Sequence, residues 1–162
     1  MLHPSTLQSL SLFDIRYEVM DCDPTLADTA EFCEAYGVDP ADSANAILVA
    51  SKRPAGVVAA CIVLATHRLD VNHAVRDALD VKKISFAPGE LTEELTGMEL
   101  GGVTPFGLPD SMRVLVDADV MVRDTVILGG GNRSSKLKIE PRELTALPTV
   151  SVISGLASPM TG

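Results

Sequence analysis

Two apolar runs dominate the chain. Residues 46–50 (Ala-Ile-Leu-Val-Ala) and 57–65 (Val-Val-Ala-Ala-Cys-Ile-Val-Leu-Ala) are separated only by Ser51-Lys52-Arg53-Pro54-Ala55-Gly56. Each run is far shorter than the roughly 20 residues of a membrane span. With turn chemistry between them, they predict a buried β-hairpin. Such a hairpin has to sit inside a sheet that other elements cover.

The flanking sequence offers those elements. Residues 5–12 have weak helical character, and residues 15–19 alternate apolar with charged side chains as a half-buried strand does. Pro24 and Thr25 open a helix with Leu26, Ala30 and Cys33 at helical spacing; Thr25 and Asp28 form a capping-box-like pair, and Gly37 ends it. Asp70 caps a short helix presenting Val71, Ala74, Val75 and Leu79, and a second short helix over 90–96 stops at Gly97. Strands are predicted over 83–87, 113–116, 125–128, 136–139 and 149–153, with a helical turn over 141–146 and a frayed tail over 157–162. The expected class is mixed α/β: one central mixed β-sheet with flanking helices, in a single domain spanning residues 1–162.

Charge bears on what such a domain binds. The net charge of −9 argues against a nucleic-acid partner, but residues 1–44 carry nine acids against Arg16 alone, so nearly all the excess lies in the first quarter. Another face is left to accept RNA. The N-terminus does not read as a secretory signal and no run suits a membrane span, so a cytoplasmic protein with no membrane partner is expected. Cys22, Cys33 and Cys61 are odd in number and form no C-x-x-C pair, so they read as buried thiols. No metal or cofactor is implied.

Two loops stand out chemically. Gly101-Gly102-Val103-Thr104-Pro105-Phe106-Gly107 leaves backbone amides uncovered and is rigid at Pro105, so it suits presentation of N–H groups to a developing oxyanion. It equally suits a tight connection between elements. A β-branched residue at Gly102 is expected to crowd both the backbone and a ligand. Gly129-Gly130-Gly131-Asn132-Arg133-Ser134 follows an apolar strand, but a strand rather than a helix comes next, which excludes a dinucleotide fingerprint. Arg133, Lys136, Lys138 and Arg142 near it form the best phosphate-binding candidate, with a lysine-protected strand edge as the alternative. Gly-x-Ser-x-Gly and His-Glu-x-x-His are both missing, and His3, His67 and His73 are scattered. The adjacent Glu93 and Glu94 point to different helix faces. Hydrolysis here would rest on backbone amides, positioning and water.

The order of motifs is more specific than any one of them. Leu69-Asp70, then Lys82-Lys83-Ile84-Ser85-Phe86-Ala87, Thr96-Gly97, the loop 101–107, Val114-Leu115-Val116-Asp117 and the loop 129–133 follow in a succession that resembles the YbaK/EbsC family. That family includes free-standing deacylases and the editing domain of bacterial prolyl-tRNA synthetases. The resemblance covers roughly residues 25–150. It implies an aminoacyl-tRNA deacylase acting in trans on the acceptor end of mischarged tRNA, with tRNA for proline carrying alanine or cysteine as the common case and a synthetase as a further partner. It also implies that Gly101, Gly102, Pro105 and Gly107 surround the ester, that Gly130, Gly131 and Arg133 border the same pocket, and that Asp117 occupies a family acidic position. The pattern departs at two places: where the family usually has a Lys-Thr-Leu-like triplet, this chain has Asn45-Ala46-Ile47, and the family's basic residue after Leu69-Asp70 is absent, with Asn72 and His73 in that region. Asn45 is given the positioning role. Loss of that lysine keeps a second reading open, a non-catalytic module that binds aminoacyl-RNA ends, amino acids or a protein partner; a hydrolase for a small non-RNA ester is a third.

Overall fold

The computed structural model describes residues 1–160. Its elements are α1 (Pro4–Leu12), β1 (Glu18–Asp21), α2 (Thr29–Tyr36), β2 (Ala44–Arg53), β3 (Ala55–Leu64), β4 (His67–Leu69), α3 (Arg76–Leu79), β5 (Lys83–Phe86), α4 (Gly89–Thr96), β6 (Arg113–Asp117), β7 (Val126–Gly129), β8 (Ser135–Ile139), β9 (Val150–Ile153) and β10 (Ala157–Pro159). The predicted hairpin lies at the centre of a five-stranded mixed sheet of order β5-β2-β3-β6-β9. β2 is antiparallel to both β3 and β5, with Val49 opposite Ala59 on one side and Phe86 on the other. β6 and β9 are added in parallel, pairing Ala60 with Val114 and Val114 with Val150.

Alternation along these strands explains why the apolar runs are unbroken. Leu48, Ala60, Ile62, Val114 and Val116 face one core, in which Val126, Leu128, Leu137 and Ile139 of β7 and β8 are packed. Val49, Ala59, Cys61, Val63 and Leu115 face a second core that contains Val71, Val75, Leu79 and Leu156. A strand buried on both faces needs apolar residues at both parities. Cys61 lies fully inside, and burial pushes its thiol up to about 12. All three cysteines are buried and free.

The mixed α/β class is as read, and the structure adds detail that the sequence reading lacked. β1, β8 and β7 form a separate three-stranded antiparallel sheet, joined to the start of β2 by a bridge between Ser43 and Ile127. The strand expected over 15–19 begins only at Glu18; Ile15 is instead a buried loop residue whose N–H donates to the Leu10 carbonyl at 2.9 Å. The helix expected from Pro24 is broken in two. Asp23 accepts from the Thr25 N–H and hydroxyl, which closes a 3₁₀ turn over Pro24–Leu26, and α2 starts afresh at Thr29 with Asp28 as N-cap. Gly37 ends it in the left-handed region, at φ 68°.

The expected tail is also ordered in part. Ala157–Pro159 is strand β10, paired with β4 through Ala157–Leu69 and Pro159–His67, while residues 161 and 162 lie outside the described residues. A three-residue strand containing proline, whose partner lies far upstream, has no periodicity to betray it. No helix among the described residues is long and apolar enough to cross a membrane.

Two glycine loops are pressed together backbone to backbone. A Cβ on Gly102 would lie 2.1 Å from the Asn132 carbonyl oxygen, and one on Gly129 would lie 2.5 Å from the Gly102 carbonyl oxygen. The Gly131 N–H donates to that same Gly102 oxygen at 2.7 Å. The expected crowding at Gly102 is therefore a matter of backbone packing. Gly102→Ala should lower stability by about 1–3 kcal/mol or more, as overpacking does. In a chain of this size that is a fall in Tm of roughly 2–4 °C per kcal/mol, readable by calorimetry. Gly102→Val should be worse, and an unshifted Tm in that variant would show that the two loops are not held in contact.

Candidate functional site

The first turn of α2, the start of β2, the end of β5, the loop at Gly101 and the strands β7 and β8 enclose an open-mouthed cavity of about 330 Å³. Asn45 projects into it from β2, Gly101 forms part of its wall, Asp28 and Thr29 come from α2, Lys136 from β8, and Phe86 stands at its edge. Phe86 is 57% exposed although it belongs to a strand.

Lys136 reaches the cavity for a simple geometric reason. Leu137 and Ile139 point into the core, so Lys136 and Lys138 take the opposite face of β8. Lys138 is solvent-exposed, whereas α2 lies over the neighbouring position and leaves Lys136 only 7% exposed. Its Nζ donates to the Ala27 carbonyl at 2.7 Å and to the Gly101 carbonyl at 3.1 Å, and it sits 5.2 Å from the ring centroid of Phe32. Burial holds its pKa below the ordinary lysine range; Arg133 adds to that depression, while Cys22, Asp28 and Cys33 oppose it.

Asn45 is held from the side. The Thr29 hydroxyl donates to Asn45 Oδ1 at 2.7 Å, and in that orientation of the carboxamide Nδ2 is left as a donor. The two residues also form part of the wall of a second, more apolar hollow of about 470 Å³, so their hydrogen bond lies between the two spaces.

Arg133 works behind this wall. Its Nε donates to the Pro24 carbonyl at 2.9 Å, and its Nη1 donates both to Asp28 Oδ1 at 3.1 Å and to the Leu100 carbonyl at 3.0 Å. A Cβ on Gly101 would strike that Nη1 at 2.1 Å, so the glycine is required for the arginine to pass. The guanidinium fastens the entrance of α2 and the glycine loop to the β7–β8 turn.

The residues anticipated from sequence fall into separate places. Asn45 and Gly101 line the cavity. Gly102 lies against Asn132, and its N–H is committed to the Glu99 carbonyl at 3.0 Å. Pro105 and Gly107 border a different hollow of about 30 Å³, with Gly107 tight against the Ser5 backbone. Gly130 and Gly131 abut Leu2, His3 and Thr6 of the N-terminal segment. Asp117 is 1% exposed at the end of β6; its Oδ1 accepts from the Ala157 N–H at 3.3 Å, and burial raises its pKa.

The expected basic cluster is dispersed: Lys136 is buried, Arg133 is clamped, Arg142 pairs with Glu140 at 2.8 Å, and only Lys138 is left free of such a contact on the strand face. Sequence reasoning missed Lys136, Thr29 and Phe86 as cavity residues. Alternation in β8 placed Lys136 opposite the core, but nothing local showed that α2 would cover it.

Comparison with known proteins follows the same lines. Residues 23–147 match the family described as the aminoacyl-tRNA editing domain. The uncharacterized protein YwhH of Bacillus subtilis (strain 168) is similar at 30% identity over 128 residues, 79% of each chain. Among solved structures, the fold is similar to that of hypothetical protein APE2540, with a TM-score of 0.85 at 24% identity, over 95% of this chain and 99% of that one. It is also similar to a candidate trans-editing enzyme for prolyl-tRNA synthetase, with a TM-score of 0.80 at 22% identity, over 95% and 98% of the two chains. At these identities the structural likeness is one of fold. The sequence match spans the elements that build the cavity, from α2 through β8, and on that basis the chain belongs to the aminoacyl-tRNA editing domain family, the YbaK-like group its motif order resembles.

Proposed function

We propose that this chain hydrolyses the ester of mischarged aminoacyl-tRNA in trans, with the reacting carbonyl held between Asn45, Lys136 and the Gly101 loop. The observation that carries this reading is the meeting of an ammonium and a carboxamide donor on the walls of one small cavity. Water attack on an ester carbonyl places negative charge on the oxygen, and preorganised donors aimed at that charge lower the barrier. An ammonium has three N–H donors. Two of those of Lys136 go to Ala27 and Gly101, and the third is available to the oxyanion. Asn45 Nδ2 supplies a second donor. The water's oxygen bonds to the carbonyl carbon, the bond from that carbon to the ribose oxygen breaks, and a proton from the attacking water passes to the departing ribose oxygen, which leaves as a hydroxyl, while the amino acid leaves as its carboxylic acid.

The size of the cavity favours small amino acids, which a synthetase pocket rejects poorly by binding alone. Alanine and cysteine on tRNA for proline are the first substrates to test. At the edge, the exposed Phe86 ring offers a stacking surface for a terminal base, a contact worth about 1–3 kcal/mol. The acidic first quarter of the chain and the clamped Arg133 leave phosphate contacts few, so recognition centres on the acceptor end.

Deacylation assays on tRNA for proline carrying alanine or cysteine test the reading directly. Saturable binding without turnover would instead make the chain a non-catalytic module. Asn45→Ala should lower kcat by about a hundredfold or more with little change in KM, as loss of an oxyanion donor does; Lys136→Met should lower kcat at least as much and, because Nζ also ties the Ala27 and Gly101 carbonyls together, should raise KM and lower stability as well. Because the active form of Lys136 is the ammonium, wild-type turnover above spontaneous hydrolysis should fall as pH rises through its depressed pKa, and Lys136→Met should lose that limb. A rate that rises over the same range would make Lys136 a general base instead. Asn45→Lys adds a second cation to the cavity and should depress activity below wild type.

Arg133→Ala should slow hydrolysis of a minimal aminoacyl ester as well as of tRNA, because its guanidinium contacts are with the protein. The dependence of tRNA affinity on salt should stay as it was. A drop in that slope by about one unit would place the arginine on a phosphate.

A further inference from the structure

Away from the cavity, β4, the end of β6 and the turn that follows bring three potential ligands together. His67, Asp117 and Asp119 each present one ligand atom, and all of these lie within 4.8 Å of one another. His67 Nε2 is 2.8 Å from Asp119 Oδ2. Asp117 is 1% exposed, and its Oδ2 is enclosed without a hydrogen-bond partner. A buried carboxylate oxygen with no donor is costly, and native proteins rarely leave one.

We propose that His67, Asp117 and Asp119 form a binding site for a divalent transition-metal cation. One imidazole and two carboxylates are an N/O donor set suited to Zn²⁺, with water completing the coordination. Bond lengths of about 2.0–2.2 Å put two ligands of one tetrahedral zinc roughly 3.4 Å apart. Within the present 4.8 Å spread the widest pair therefore has to close by at most roughly 1.4 Å, while His67 Nε2 and Asp119 Oδ2, at 2.8 Å, open slightly. Asp119 has that freedom, since its side chain is 52% exposed while that of His67 is 10% exposed.

The second nitrogen of the imidazole is already provided for. His67 Nδ1 lies 3.0 Å from the Thr66 hydroxyl. That hydroxyl donates to Nδ1 when Nε2–H faces Asp119, and accepts from Nδ1–H when Nε2 turns its lone pair to a metal. The imidazole can thus take up the cation without losing its outer partner. Bound there, the ion would pin β4 to the end of β6, beside the pairing of β4 with β10.

Titration of EDTA-treated protein with ZnCl₂ or CoCl₂ tests the site. At about a hundredfold excess over Kd, Zn²⁺ should raise Tm by roughly 5–10 °C. Co²⁺ should give a visible absorption band of low-symmetry N/O coordination. His67→Gln and Asp119→Asn should each abolish both signals; Asp119→Asn keeps its shape at a half-exposed position, so its fold should survive. Absence of a Tm shift and of a cobalt band in the wild type would overturn the proposal. So would a shift that persists in the folded variants, which would place the cation elsewhere.

Discussion

One ammonium holds together segments that the sequence keeps far apart. Lys136 rises from β8, and its Nζ ties the carbonyl of Ala27, before α2, to the carbonyl of Gly101, in the loop after α4. Removing a charge from water is unfavourable, and at this position burial outweighs the nearby negative groups, as the depressed pKa records. What offsets it is the pair of carbonyl dipoles and the face of Phe32. The contacts that assemble the cavity are therefore also the ones that charge it. A neutral side chain here would leave both carbonyls without their donor and the site without its cation.

The hairpin makes the complementary contribution. Because β2 is covered on both faces along its middle, its position is fixed by two cores at once. At its beginning, cover is incomplete: Asn45, Ala46 and Ile47 are only half-buried where β2 passes the end of β7. The cavity occupies that opening. A rigid strand delivering one half-buried polar residue is a more accurate scaffold than a loop, and the hydrogen bond from Thr29 holds the Asn45 carboxamide from one side. Arg133 closes the arrangement from outside by holding Asp28 and the Leu100 carbonyl in place.

Much of this fold was legible in the sequence because its signals are local. Unbroken apolar runs gave the hairpin, Gly37 and Gly97 marked helix ends, and Asp70 marked a helix start, where it accepts the His73 N–H at 3.2 Å. What was not legible depends on pairing across distance. β10 is three residues long and needs β4; the break before α2 depends on how Asp23 folds back on Thr25. The site divides in the same way. Asn45 was singled out only through the family resemblance, as the residue standing where that pattern has a lysine, whereas Lys136 looked like one of four surface cations until α2 covered it. His67, Asp117 and Asp119 were hidden for the same reason, since only the packing of β4 beside the end of β6 makes them neighbours.

Asn45 and Lys136 are best understood as a unit. The family pattern suggests a lysine at position 45, on the hairpin, but the buried ammonium of this cavity comes from β8 on the opposite wall. Two like charges sharing one small, partly desolvated cavity repel each other, and the site that stabilises one oxyanion needs only one of them. A second ammonium at 45 would thus offset part of what it could add. A carboxamide avoids that repulsion and, under the proposed reaction, offers a donor to the ester while hydrogen-bonded to Thr29. Under the proposed deacylation, Asn45 is then not simply a lost catalytic group: beside Lys136 it is a neutral partner suited to a cavity already lined by one buried cation.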